Sequence, residues 1–210
     1  MEILWYGHSC FRLRTRGAIV VTDPCGKGVG YNVPKMRADI VTISHNHFDH
    51  NNAAAVQGDP KVIKEAGVRE VRGITFRGIM SAHGFMRGPN IIFCFEVDGV
   101  RLCHLGDLAR VLTEQQVEEI GEVDVLFIPV GGLTTINAPK ARQVCEQLSP
   151  LVAIPMQFGN SKCRLPFAPV DAFLKGKGME GYRRLETSEM ELTQDTLPEE
   201  MEVVVLEPAL

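Results

Sequence analysis

The segment Ile43-Ser44-His45-Asn46-His47-Phe48-Asp49-His50 packs three of the chain's six histidines and one carboxylate into six residues, directly after an apolar run. Neutral imidazoles and carboxylates are the donors that borderline divalent metals prefer, and a strand that ends in a tight loop turns alternate side chains toward one point. His45 and His47, at i and i+2, leave the same side of an extended backbone. Asp49 and His50 follow where the chain bends, so two adjacent sets of ligands result. A polar surface loop with histidines by chance is the alternative, but nothing else in this histidine-poor chain resembles the cluster.

The rest of the composition bounds the setting. At 210 residues and 45% hydrophobic content, the chain can bury one sizeable core, and a single domain over 1–210 is expected. The net charge of −4 comes from interspersed acids and bases without a basic block, which argues against nucleic acid or an anionic membrane as partner. No signal-peptide pattern and no spanning apolar run is visible, so a cytoplasmic protein is expected. Cys10, Cys25, Cys94, Cys103, Cys145 and Cys163 form no C-x-x-C pair, which excludes a zinc knuckle. Reduced structural thiols are the default reading, with disulfides in an exported protein as the alternative.

Periodicity predicts short early strands at Glu2 to Tyr6, Cys10 to Arg14, Ala18 to Thr22 and Asp39 to Ser44, with Arg16-Gly17 as a hairpin turn. The Gly-rich stretch from Pro24 to Lys35 is too long for a tight connection and is expected to border something functional; it lacks the ending of a phosphate loop. A helix start is read at Asn52 to Gln57, then strands at Lys61 to Ile63, Val68 to Val71 and Ile74 to Ile79. Asp98-Gly99 is a strong hairpin signal between Asn90 to Val97 and Val100 to Leu105. Later the rhythm changes. Thr113 to Gln116 is a capping box for a helix to about Ile120, Val123 to Pro129 is a buried strand, and Asn137-Ala138-Pro139 opens a helix to Leu148. Leu151 to Pro155, a short helix over Val170 to Lys175, and strands at Met190 to Leu192 and Val203 to Leu206 close the chain. Meanders first and alternation later suggest two packed sheets with helices outside.

His45-x-His47-x-Asp49-His50 after an apolar strand resembles the H-x-H-x-D-H signature of the metallo-β-lactamase superfamily. Gly7-His8-Ser9-Cys10-Phe11, Thr22-Asp23-Pro24, His104-Leu105-Gly106-Asp107 and Pro129-Val130-Gly131-Gly132 are similar to the branch that holds ascorbate-6-phosphate lactonase and many uncharacterised Zn-dependent hydrolases. The likeness runs from about Met1 to Gln157. It implies an α/β (α+β) fold, a four-layer αββα sandwich with the site at one edge between the sheets. It also implies His45, His47 and His83 as ligands of one metal, Asp49 and His50 as ligands of a second, and Asp107 as the bridge. Asp23 would support the ligands from behind. His8 and His104 are read either as lining the site and orienting a loop, or as hydrogen-bonded structural histidines.

One departure stands out. The family's last histidine falls in an Ile-Pro-Met-His segment, and this chain has Ile154-Pro155-Met156-Gln157, with no histidine after His104. A Gln amide oxygen is a weaker donor than imidazole, so the second site is expected to be weak, empty or suited to a harder ion, and Asp107 could shift from bridge to base. The cofactor expected is Zn²⁺, one ion or two, with Mn²⁺ or Fe²⁺ as alternatives.

The chemistry implied is hydrolysis by a metal-acidified water, with Asp49 or Asp107 orienting it and taking its proton. A small substrate is expected, an anionic lactone, ester or phosphodiester, met by rim cations among Lys27, Lys35, Arg87, Lys162 and Arg164. The competing reading is a degenerate member that binds metal or ligand without turnover, and Gln157 is its motive. A di-iron redox role is disfavoured by the lack of a flavin-binding domain and of an added carboxylate ligand.

Overall fold

The computed structural model describes residues 1–26, 28–31, 34–84 and 88–209. The early strands are β1 (Glu2–Gly7), β2 (Cys10–Arg14), β3 (Ile19–Thr22), β4 (Met36–Arg37), β5 (Ile40–Thr42), β6 (Val56–Gln57) and β7 (Lys61–Ile63). Then come β8 (Gly67–Val71), β9 (Ile74–Ala82), β10 (Pro89–Val97) and β11 (Val100–His104). Helices enter only in the second half: α1 (Glu114–Ile120), β12 (Val125–Pro129), α2 (Ala138–Leu148), β13 (Val152–Met156), α3 (Asp171–Leu174), β14 (Tyr182–Arg184), β15 (Glu189–Glu191) and β16 (Glu202–Val205).

These strands form two large mixed sheets. One runs β15-β1-β2-β3-β5-β7 and the other β14-β16-β13-β12-β11-β10-β9-β8, with β4-β6 as a small ribbon. Period-2 patterning sends Ile3, Trp5, Phe11 and Leu13 of the first sheet into one apolar cluster with Phe76, Ile92, Phe93, Leu102 and Phe127 of the second. β12 and β13 are buried at every position, as parallel strands covered on both faces must be. α2 adds Ala138, Ala141, Val144, Cys145 and Leu148 to that cluster, a stripe at helical spacing. The result is the α/β sandwich expected of the chain.

Local chemistry explains the boundaries. Asp98 and Gly99 have φ of +53° and +77°, the pair of positive values a type I′ turn needs, and β10 and β11 pair in register around them. Thr113 and Gln116 form the reciprocal capping box, and the Asn137 side chain accepts from Lys140 N with Pro139 in the first turn. At Asn52 to Gln57 the helix start is only a 3₁₀ turn, Ala53–Ala55, because β6 pairs with β4 immediately after it. A second apolar cluster, including Tyr6, Cys10, Val21, Cys25, Val29, Tyr31 and Val41, lets the segment after β3 pack on the first sheet. All six cysteines are free.

Asp124 anchors β12 to β11. It is 3% exposed and accepts from Arg101 N, Nε and Nη2 at 2.7, 3.0 and 2.6 Å. Burial would raise its pKa, but the Arg101 hydrogen bonds and charge win and hold it below the ordinary carboxylate range. Asp124→Asn is expected to cost about 1–2 kcal/mol at neutral pH in urea unfolding. Because the folded-state pKa is depressed, this contribution is complete above the unfolded value of about 3.9 and is lost as pH falls through the folded value. The gap between parent and variant should therefore close in acid; a pH-independent gap would refute the assignment.

Candidate metal centre

The candidate residues converge because the sheets deliver them from one kind of place, the C-terminal ends of strands. Asp23 follows β3, the histidine loop follows β5, His83 follows β9, Asp107 follows β11 and Gln157 follows β13. Within the loop, His45 and His50 are buried, His47 and Asp49 half-buried, and Phe48 is 66% exposed. The Gly-rich stretch braces this loop: Gly26 N donates to Phe48 O at 3.1 Å and Asn52 N to Pro24 O at 2.9 Å.

Three overlapping groups have ligand atoms within 4.8 Å of one another: His45, His47 and His83; His8, Asp49 and His50; and His45, His50 and Asp107. Asp107, 3% exposed, joins them. Its Oδ2 lies 3.8 Å from His45 Nε2 and 3.4 Å from His83 Nε2, and its Oδ1 lies 3.0 Å from His50 Nε2. Each carboxylate oxygen thus addresses a different set of imidazoles. Asn90 fixes the carboxylate's backbone, its Oδ1 accepting from Asp107 N at 2.8 Å. Gly106 makes this possible, since its φ is +55° and a Cβ there would sit 2.4 Å from Asn90 Oδ1.

Asp23 supports the loop from behind. It accepts from Ser44 N at 2.7 Å, Ser44 Oγ at 2.6 Å and His50 Nδ1 at 2.8 Å. Since a carboxylate only accepts, Nδ1 of His50 carries hydrogen and Nε2 is left to face the cluster. Ser44 Oγ also lies 2.9 Å from His45 Nδ1. Asp23→Asn turns an amide NH₂ on one of these donors and is expected to weaken Zn²⁺ binding by about 10–100-fold. Calorimetric titration of metal-stripped protein measures this, and unchanged affinity would remove Asp23 from the supporting role.

The electrostatics suit cation binding. Burial, together with the charge of His50, lowers His45 to about 3, so its ring is neutral and its lone pair available at neutral pH. Burial would also lower His50, but the carboxylates of Asp107 and Asp23 outweigh it and hold it well above its usual value, so a cation bound at its Nε2 would have to displace a proton. Burial alone would raise Asp107; the charge and hydrogen bond of His50, then His45 and His8, hold it well below the carboxylate range. Buried Nε2 atoms of His8 and His45 have no hydrogen-bond partner among the described residues. Such atoms are costly unless something else binds them, and the residues present fit a divalent metal.

His104 is differently placed. Its Nε2 donates to Ser9 O at 3.0 Å and its Nδ1 accepts from Gly106 N at 3.2 Å, so both nitrogens are spent on backbone. It ties the β1-β2 turn to the loop before Asp107. Gln157 also departs from expectation. Its Nε2 donates to Asp107 Oδ1 at 2.6 Å and to Ser9 Oγ at 2.5 Å, so the amide turns its nitrogen to the carboxylate. An NH₂ group is no ligand, and reversing the amide would set oxygen against oxygen. Among the rim cations, Lys27 and Arg87 lie outside the described residues, and Lys162 Nζ donates to Pro208 O at 3.0 Å. Asn90 has no signature in the sequence, and Ser9 and Ser44, though they lie within the quoted motifs, carry no local signal of a supporting role.

Residues 2–157 match the family model described as a beta-lactamase superfamily domain. The chain belongs to the metallo-β-lactamase superfamily. Within it, the chain is a metal-dependent hydrolase. It is similar to a UPF0173 protein of Pyrococcus abyssi, 28% identical over 182 residues that cover 76% of this chain and 84% of that one. A UPF0173 metal-dependent hydrolase of Methanoculleus marisnigri is 28% identical over 185 residues, covering 75% and 81%. A crystal structure of a metallo-β-lactamase superfamily protein from Thermotoga maritima superimposes with TM-score 0.84 at 41% identity over 98% of each chain. A metallo hydrolase of Ignicoccus hospitalis shares the fold, with TM-score 0.70 at 20% identity over 100% of this chain and 96% of that one.

Proposed function

We propose that this chain is a single-domain, zinc-dependent hydrolase that opens a small anionic lactone or ester, or cleaves a small phosphodiester, in the cytoplasm. The observation that carries it is Asp107, one buried carboxylate whose two oxygens face two different sets of imidazoles. His45, His47 and His83 would hold one ion, Asp49 and His50 a second, with Asp107 shared. Bound divalent metal supplies a water of lowered pKa and polarises the attacked oxygen. Asp107, shared between the two sets of imidazoles, would be held by metal rather than free to take a proton. Asp49, whose side chain is 15% exposed and within 3.6 Å of His8 Nε2, would orient the nucleophilic water and accept its proton. Exposed Lys35 and Arg164 are the remaining candidates for holding substrate charge. Net charge of −4 favours a small molecule over nucleic acid, and no described helix is long and apolar enough to cross a membrane.

The test is chelation followed by reloading with Zn²⁺ or Mn²⁺, with assays on neutral and phosphorylated lactones and on an aryl phosphodiester. Hydrolysis that disappears on chelation and returns with metal supports the reading, and the preferred arm names the substrate class. Metal-loaded protein inert in every arm would favour the degenerate, non-catalytic alternative that Gln157 suggests.

A further inference from the structure

With Gln157 standing where the resemblance implies a histidine, and its Nε2 bound to Asp107 Oδ1 and Ser9 Oγ, the second set of donors is one imidazole short of the expected one. Building on the metal-hydrolase reading above, we propose that His8, on the β1-β2 turn, supplies that missing nitrogen, and that Gln157 positions Asp107.

The geometry is compact. Two ligands at zinc distances on a tetrahedral centre stand roughly 3.4 Å apart. His8 Nε2 lies 3.6 Å from Asp49 Oδ2, and His50 Nε2 lies 3.9 Å from the same oxygen and 3.0 Å from Asp107 Oδ1. A structural histidine would spend both nitrogens on the protein, as His104 does. His8 does not: Nδ1 lies 3.3 Å from Ser9 Oγ, while Nε2, in a residue 1% exposed, has no hydrogen-bond partner among the described residues.

The backbone is committed to this placement. His8 is the first residue of a two-residue loop between Gly7 and Cys10 and has φ of +53°, where such turns ordinarily use glycine. Strain of this kind persists only where surroundings over-determine it. Trp5 Nε1 donates to His8 O at 3.0 Å, and Thr22 Oγ1 and His104 Nε2 donate to Ser9 O at 3.1 and 3.0 Å. Gly7 is pressed so closely on Tyr31 that a Cβ would lie 2.4 Å from its ring. Gln157 clamps Ser9 and Asp107 together, joining the turn that carries His8 to the shared carboxylate.

Zn²⁺ titration calorimetry and elemental analysis of the full chain test the assignment, with circular dichroism to check folding. The parent should take about two equivalents. His8→Gly, which suits the turn's φ, should hold about one, and His8→Asp, which restores a donor and tolerates the same φ, should recover the second. Gln157→Leu should keep two equivalents with the second weakened by about 10–100-fold. Two equivalents in His8→Gly, or loss of the second in Gln157→Leu but not in His8→Gly, overturns the proposal. A parent holding one equivalent that depends on His45 overturns it while leaving the hydrolase reading in place, and a parent holding none overturns both.

Discussion

Asp107→Asn should lower kcat/KM by about 10³-fold or more, and metal content should fall from two equivalents toward one. An asparagine has a single carbonyl oxygen and no charge. It can face His45 and His83, 3.8 and 3.4 Å from the native Oδ2, or His50, 3.0 Å from Oδ1, but not both. Its NH₂ would also confront the Gln157 amide nitrogen, which now donates to Oδ1 at 2.6 Å. Transition-state stabilisation by a metal is worth several kcal/mol, and each 1.36 kcal/mol is tenfold in rate, which sets the expected magnitude. Kinetics on the substrate identified by the screen, beside elemental analysis, give the answer. Activity within tenfold of the parent and undiminished metal would mean that Asp107 is not the shared ligand.

Phe127→Ala should destabilise the protein by about 3–5 kcal/mol, a large part of the roughly 5–15 kcal/mol available to a native domain. Phe127 is fully buried on β12 and meets Phe11 of β2 with ring centroids 4.5 Å apart, so it joins the two sheets. It also pairs in register with His104, whose ring centroid is 5.8 Å away. The cavity would therefore open beside the histidine that ties Ser9 to the loop before Asp107. Urea unfolding should show the lower midpoint, and Zn²⁺ affinity should fall with it. A loss below about 1 kcal/mol would mean that the sheets do not depend on this contact.

Much of the fold was legible because its cues are local. The capping box at Thr113, the Asn137-Ala138-Pro139 cap and the Asp98-Gly99 turn each depend on residues a few positions apart. Met36–Arg37, Val56–Gln57 and Tyr182–Arg184 were missed as strands, since runs of two or three residues carry no period and are defined by their partners. Lys162 was read as a rim cation, yet its ammonium is bound to Pro208 O, which is far off in sequence.

The site divides the same way. His45, His47, Asp49 and His50 could be read as ligands from sequence because a strand end and its loop bring close neighbours to one point. His83 and Asp107 were reached only through resemblance, being lone residues in their own segments. Tertiary structure alone decided how His8 and Gln157 are used. The bond from Gln157 Nε2 to Ser9 Oγ spans 148 positions, and no local pattern encodes which atom of an amide faces a carboxylate. The sequence by itself determined that a metal-binding loop follows a buried strand. Packing two sheets face to face determined which donors complete it, because a ligand set is a matter of distances among strand ends, and sheet register and topology set those distances.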